Sequence, residues 1–464
     1  MRIPFLPTDT NSEYLPLNML FSQNEISGQN ALIGRPCLLE YVDLNTQHPV
    51  KAMVPLEIGL LAICGRFLYL VDNLKNISTV GELESSNGPA WMETNGNQIQ
   101  IICDEVMYVF DGELSKVNVG FRPDTLTYEG GFFISNNRGG QWFYESNAMD
   151  GSDYNELDYA ITSVSPDCIK CVHAANGNVF AIGSNSGEIY YNSGGSSFSF
   201  SKVPGGNIPL GTLAPKSVAT FIGQVYLLAN DRTVVQYGPS PTKISNPVVD
   251  RIINDIDIID DAVGFTFSIN GHSFYVLNFK SGDKTLAYDF TTNLWSEWST
   301  VRSRWRGNCS VMLNGRPYIG DINNGKIYTI DDSVYYDDDL MVIKQYKFPV
   351  NTGNNLLTFA ALELEAETGT GVATGQGADP LIGLRYSPDK WKTRYDAGWV
   401  TYGKAGHYEA RPVWRRLGRH RNFTAELTIT DPIKVVWEGV SINWTQAGNN
   451  LSKKSTCQNK LPTS

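Results

Sequence analysis

The sequence predicts an all-β protein, a β-propeller of six or seven blades followed by a further C-terminal β module, and three observations lead there. Across 464 residues, aromatics reach 11% with 23 Tyr and 20 Phe, and 43 Gly accompany them, a mix of strand-favouring rings and turn formers. One hairpin pattern recurs through the middle of the chain. After an acidic stretch, Asp331 to Asp339, that pattern stops and a different strand grammar takes over.

Residues 1–50 read as an N-terminal arm and first strands, and 51–335 as the propeller. The repeated unit is a Gly-led turn, an apolar pair or triplet, a polar stretch, then a second apolar pair. It reads Gly65-Arg66-Phe67-Leu68, Gly131-Phe132-Phe133-Ile134, Gly177-Asn178-Val179-Phe180, Gly223-Gln224-Val225-Tyr226, Gly271-His272-Ser273-Phe274-Tyr275 and Gly315-Arg316-Pro317-Tyr318. A weaker copy runs from Gln98-Ile99-Gln100-Ile101 to Val106-Met107-Tyr108. Each is a hairpin by its turn and strand signals, and copies spaced by roughly 30 to 50 residues match the blade period of a propeller. A short helix is expected over Pro247 to Ile256, where Val248, Val249, Ile252 and Ile253 share a face. Residues 336–445 form a separate β module, with strand-like runs at Leu357 to Glu365, Leu381 to Tyr386, Ala425 to Ile429 and Ile433 to Trp444. The polar, aperiodic residues 446–464 read as a flexible tail.

Charge and composition exclude several functions. A net charge of -11 is unsuited to a surface built to grip phosphate backbones. The apolar run Ile58 to Val71 is broken by Arg66 and falls short of the roughly 20 residues a membrane span needs, so no membrane is expected. Prolines at 4 and 7 interrupt what a signal peptide would need to keep apolar. Seven scattered cysteines suit free thiols in a reducing compartment.

Catalytic and cofactor motifs fail on inspection. Gly320 to Ile327 nearly spells a phosphate loop, but Ile327 stands where Ser or Thr would hold Mg²⁺, so it reads as a hairpin turn. Cys168 and Cys171 have metal-ligand spacing without a second pair. Asp255, Asp257, Asp260 and Asp261 lack the spacing of a calcium loop. No cofactor, no metal and no catalytic residue is expected. Ser135 to Trp142 resembles the Asp-box turn of sialidase-type propellers, a hairpin device. It leaves open the alternative of a glycan-directed propeller, lectin or glycosidase, which would need convergent carboxylates.

Gly271-His272-Ser273-Phe274-Tyr275, followed by Asp289 and by Trp295-Ser296-Glu297-Trp298, resembles the central signature of the packaged-DNA stabilisation proteins, the tail hub or nozzle proteins of short-tailed bacteriophages. Trp414-Arg415-Arg416-Leu417-Gly418-Arg419-His420-Arg421 is similar to the closing module of that family, and Tyr14 to Leu20 to its opening. The resemblance implies a structural virion protein made in the host cytoplasm. It implies a hexameric ring below the portal and its adaptor, closed by a needle or plug and offering sites for tailspikes or fibres. DNA would pass through the channel without tight binding. The basic cluster Arg415, Arg416, Arg419 and Arg421 is the interface candidate. Strand alternation would place Arg415, Arg419 and Arg421 on one face, with Trp414 and Arg416 on the other.

Overall fold

A computed structural model describes residues 2–5, 14–23, 30–162, 167–195 and 197–446. The expected flexible tail lies outside them apart from Gln446, the last residue of a strand.

Seven antiparallel sheets follow one another as blades. They begin at Val50, Ala90, Pro123, Ile169, Ala219, Val263 and Gly307, each the first residue of the blade's inner strand. The sequence expectation of six or seven blades thus resolves to seven among the described residues. In blades three to seven the repeat glycine is the left-handed turn between first and second strands, with φ from 71° to 95° at Gly131, Gly177, Gly223, Gly271 and Gly315. Blade one departs from this. Gly65 joins its second and third strands, Gly59–Cys64 and Phe67–Asp72, because the wholly buried second strand precedes it. A strand buried on both faces shows no alternation, so the sequence carries no local signal that a strand precedes Gly65 within the blade.

The last blade supplies only three strands of its own. Its fourth is Cys37–Asp43, which pairs antiparallel with Lys326–Asp331, Leu38 opposite Ile330. Leu38 and Ile330 then join Phe267, Phe274, Trp298 and Trp305 in a core between blades six and seven. Closing the ring in this way hides the edges that an open array of sheets would expose.

The C-terminal module is a two-sheet sandwich. One sheet orders Lys344–Val350, Phe423–Ile429, Leu381–Ser387 and Tyr395–Thr401. The other centres on Val436–Gln446 and Leu357–Ala366, carries Val413–His420 at one edge, and is completed by Arg2–Pro4, Met19–Gln23 and Asn30–Gly34 from the N-terminal part of the chain. Phe348, Phe359, Trp414, Leu427 and Trp437 fill the space between the sheets. The segment expected as an N-terminal arm is therefore divided: its first strands complete the sandwich, its last closes the propeller.

The helix forms over Pro247–Asn254. The Asn246 side chain caps it by accepting hydrogen bonds from Val248 N at 3.0 Å and Val249 N at 2.9 Å, and Val249 and Ile253 pack against blades five and six.

Candidate functional site

Arg35 stands between the last N-terminal strand of the sandwich and the closing strand of the propeller. Its guanidinium is fully buried and all five of its N–H donors are used. Nε donates to Asn18 Oδ1 at 2.8 Å. Nη1 donates to the Pro36 carbonyl at 3.0 Å and to Asp337 Oδ1 at 3.1 Å. Nη2 donates to the Ser299 carbonyl at 3.0 Å and to Asp337 Oδ2 at 2.5 Å. Trp298 and Trp305 flank it, with ring centroids 5.5 and 5.8 Å from Cζ. Burial lowers the arginine, but the charge and hydrogen bonds of Asp337, with a smaller pull from Cys37, together hold it above its ordinary value.

Asp337 belongs to the acidic stretch that read as a domain boundary, and it lies in the return crossing from propeller to sandwich. Besides Arg35 it accepts from Leu38 N at 3.1 Å and Thr300 Oγ1 at 2.6 Å. Asn18 is just as fully used: its amide donates to the Ile343 carbonyl at 2.7 Å and Ser299 Oγ at 3.1 Å, and its oxygen accepts from Ser299 N at 2.7 Å. Leu17 exchanges backbone hydrogen bonds with Gln345 of the sandwich at 2.8 and 3.0 Å, while Asn18 N donates to Glu297 O of blade six at 2.8 Å. Both chain crossings, blade six and the sandwich thus meet in one satisfied polar cluster.

The signature residues of blade six divide between its two faces. Phe274 and Trp298 face blade seven, with ring centroids 5.1 Å apart. Tyr275 and Trp295 face blade five, where the Tyr275 hydroxyl donates to the Ser217 carbonyl at 2.7 Å and Trp295 Nε1 to the Ile244 carbonyl at 2.9 Å. Asp289 accepts from Thr291 N at 2.9 Å and sits 2.7 Å from His272 Nδ1. His272 Nε2 in turn lies 3.2 Å from Ser22 Oγ of the sandwich. Gly271 forms the turn beside them, and Thr291 Oγ1 donates to its carbonyl at 2.9 Å. These residues build the blade and its seam with the sandwich. Trp414 and Gly418 lie apart from them in the sandwich itself, where Trp414 Nε1 donates to the Gly398 carbonyl at 2.9 Å.

The basic cluster occupies the strand Val413–His420 and the turn after it. Its expected alternation fails at Arg416. The register with Leu357–Ala366 shifts between Phe359 and Ala361, Arg416 takes φ 60° and Gly418 φ 89°, so a bulge interrupts the strand. Trp414 and Leu417 are buried with two residues between them, and Arg415, Arg416, Arg419 and Arg421 are all exposed. Arg421 donates to the Asn354 carbonyl at 3.0 Å.

The inner strands of the seven blades surround a cavity of about 250 Å³ lined by Met53, Met92, Phe265, Glu93, His173 and Lys216 among others. Burial drives Glu93, His173 and Lys216 toward neutrality: Glu93 is raised to about 7, His173 lowered to about 4 and Lys216 lowered to about 8. Lys216 lies 4.3 Å from the Trp91 ring centroid and donates to the Ala90 carbonyl. Glu93 is the one carboxylate lining this cavity among the described residues. The pair that a glycosidase would need is not gathered there.

The other motifs take structural places. Asp321 of the phosphate-loop lookalike is buried, paired with Arg306 at 2.5 Å and accepting from the Tyr328 hydroxyl at 2.8 Å. Cys168 is exposed and Cys171 buried, and no group of three or more His, Cys, Asp or Glu placed to hold a metal occurs among the described residues. Asp255, Asp257 and Asp260 are exposed. No described helix is long and apolar enough to cross a membrane.

Sequence reading missed Asn18, Arg35 and Asp337. The available signal was a lone Arg35-Pro36 between two apolar strands, in a segment where an ordinary loop would carry several polar residues.

Residues 12–335 match the family model described as Bacteriophage P22 Gp10, beta-propeller, and residues 346–445 match the one described as Bacteriophage P22 Gp10, beta-sandwich. No curated protein matches the chain. Among solved structures, the crystal structure of the computationally designed Ika8 protein aligns with a TM-score of 0.41 at 9% identity, over 63% of this chain and 99% of its own.

Proposed function

The chain belongs to the bacteriophage P22 Gp10 family of phage structural proteins, and on that premise we propose that it is a tail hub ring which closes the tail channel, retains packaged DNA and passes it during ejection. The observation that carries this reading is the colinear match of both domains, propeller then sandwich, over nearly the whole described chain. In this reading the ring holds six copies, sits below the portal and its adaptor, is closed by a needle or plug, and bears tailspikes or fibres on its rim. The protein is made in the host cytoplasm and carried in the virion.

The small size of the cavity on the propeller axis supports a ring of several copies. A cavity of about 250 Å³, lined by Met53, Met92, Trp91 and Phe265 as well as Glu93, His173 and Lys216, is far too small to pass a duplex. DNA must then run between subunits and not through one. The exposed arginines of the sandwich suit contacts with acidic groups on a neighbouring subunit or adaptor.

The test is a phage lacking this protein, with copy number measured in assembled tails of the wild type. Filled heads should lose their DNA without it, and tails should show six-fold symmetry. Stable retention of DNA in its absence, or another symmetry, overturns the reading.

A further inference from the structure

A second cavity, of about 220 Å³, lies in the seam between propeller and sandwich. Its walls are largely apolar, including Leu20, Ile33, Ile269 and Val334; of the two buried cations that line it, Arg35 is spent on Asp337 and its neighbours, and Lys344 is not. Lys344 opens the first strand of the sandwich's second sheet and is 1% exposed. Its stem passes directly over Gly34. A Cβ at that position would lie 2.8 Å from Lys344 Cε and 3.2 Å from Cδ, so the glycine keeps the passage open.

The ammonium at the end of that passage is poorly served. Of its three donors, one makes a long hydrogen bond of 3.5 Å to the Ile433 carbonyl, and the Tyr335 ring centroid lies 5.8 Å away. No carboxylate stands within ion-pair distance among the described residues. Asp337 is already engaged by Arg35, Leu38 and Thr300, and at the rim Glu367 is paired with Lys434 at 3.1 Å. Burial accordingly pushes Lys344 below its ordinary value, against the pull of Cys37, Asp337 and Asp431 and with the push of Arg35. An unpaired buried ammonium is costly, and a lysine needed only for its stem would be replaced by methionine at no loss of packing.

We propose that this cavity binds a small carboxylate with an apolar body, of the class of a medium-chain fatty acid, its carboxylate on Lys344 Nζ and its chain along Leu20, Ile33 and Ile269. The proposal is independent of the tail function. Charge selects the head group, since Lys344 offers unspent donors while the two lining carboxylates are engaged elsewhere, Glu367 with Lys434 and Asp332 with the Asn270 amide. The apolar walls select the body.

Calorimetric titration of the full chain with octanoate, octan-1-ol and octylammonium at neutral pH tests it. Octanoate should saturate a single site, with octanol weaker by about tenfold or more and octylammonium not bound. Lys344→Met should lose that preference for octanoate, and Val334→Trp, which fills the cavity and keeps the ammonium, should abolish binding. If Lys344→Met does not fold, the ligand series on the wild type and the Val334→Trp variant decide. Absence of octanoate binding means that the ammonium is solvated by water alone. That result, equal binding of octanol, or full octanoate binding by Val334→Trp overturns the proposal.

Discussion

Arg35 and Asp337 face each other with both side chains fully buried, 2.5 Å apart at their closer contact, where the chain crosses between its two domains. One lies on the outward crossing from sandwich to propeller, the other on the return. Because each also holds backbone or side-chain groups of blades six and seven, the pair ties the closure of the ring to the docking of the sandwich.

Breaking this pair should therefore cost far more than a surface ion pair. Arg35→Met or Asp337→Leu alone leaves its partner's charge buried, and each should destabilise the protein by about 3 to 5 kcal/mol in denaturant titration. The double variant should lose less than the sum of the two. Additive losses would show that the residues act separately.

Closure by the N-terminal strand gives a second expectation. Leu38 is 1% exposed and opposite Ile330, so Leu38→Ala should cost about 2 to 5 kcal/mol although it lies outside the repeats. A loss below about 1 kcal/mol, on the scale of a surface substitution, would mean that the strand is not required for the closed ring.

The central cavity sets a pH dependence. His173, lowered to about 4 by burial, stays neutral in the folded protein while its unfolded counterpart takes up a proton below about pH 6.5. Its contribution is complete above that value and is lost as pH falls toward 4, because the unfolded state then binds more protons. Glu93, raised to about 7 in the same cavity, acts with the opposite sign, its folded form gaining stability as pH falls through 7. Comparing wild type with His173→Gln isolates the histidine. Between pH 7 and 4 the variant should lose about 2 to 3 kcal/mol less stability than the wild type. Parallel pH curves would count against a buried neutral His173.

Arg419 and Arg421 are exposed on the sandwich, Arg421 with one hydrogen bond to the Asn354 carbonyl. Replacing both by Ala should change stability by less than about 1 kcal/mol yet impair tail assembly, measured as the yield of complete tails. Unfolding of the variant would assign the cluster a structural role instead.

With 48 acidic and 37 basic residues, the chain is expected not to clamp DNA. Titrating duplex DNA over a range of salt concentrations should show no submicromolar binding near physiological ionic strength. Tight binding that weakens steeply with salt would mean that the protein grips DNA directly, against retention by a plug.

The blades were legible in the sequence because their information is local. A left-handed glycine between two alternating runs specifies a hairpin wherever it stands, as Gly131, Gly177, Gly223, Gly271 and Gly315 do. The helix at Pro247–Asn254 was legible for the same reason, through its cap and one apolar face. Where local patterning lapsed, so did the reading: Gly65 fell one strand out of place beside a strand buried on both faces, and the bulge at Arg416 broke an alternation that spacing alone implied.

By itself, then, the sequence determined an all-β chain of repeated hairpins, a change of grammar after the acidic stretch and a resemblance to a phage tail family. Tertiary structure alone decided that Cys37–Asp43 completes the seventh blade, that earlier strands complete the sandwich, and that Asp337, one acid among several, is the buried partner of Arg35. The physical reason is that hairpin periodicity acts between neighbours in the chain. Strand exchange and charge neutralisation are settled between residues hundreds of positions apart, by the burial they share once the ring has closed.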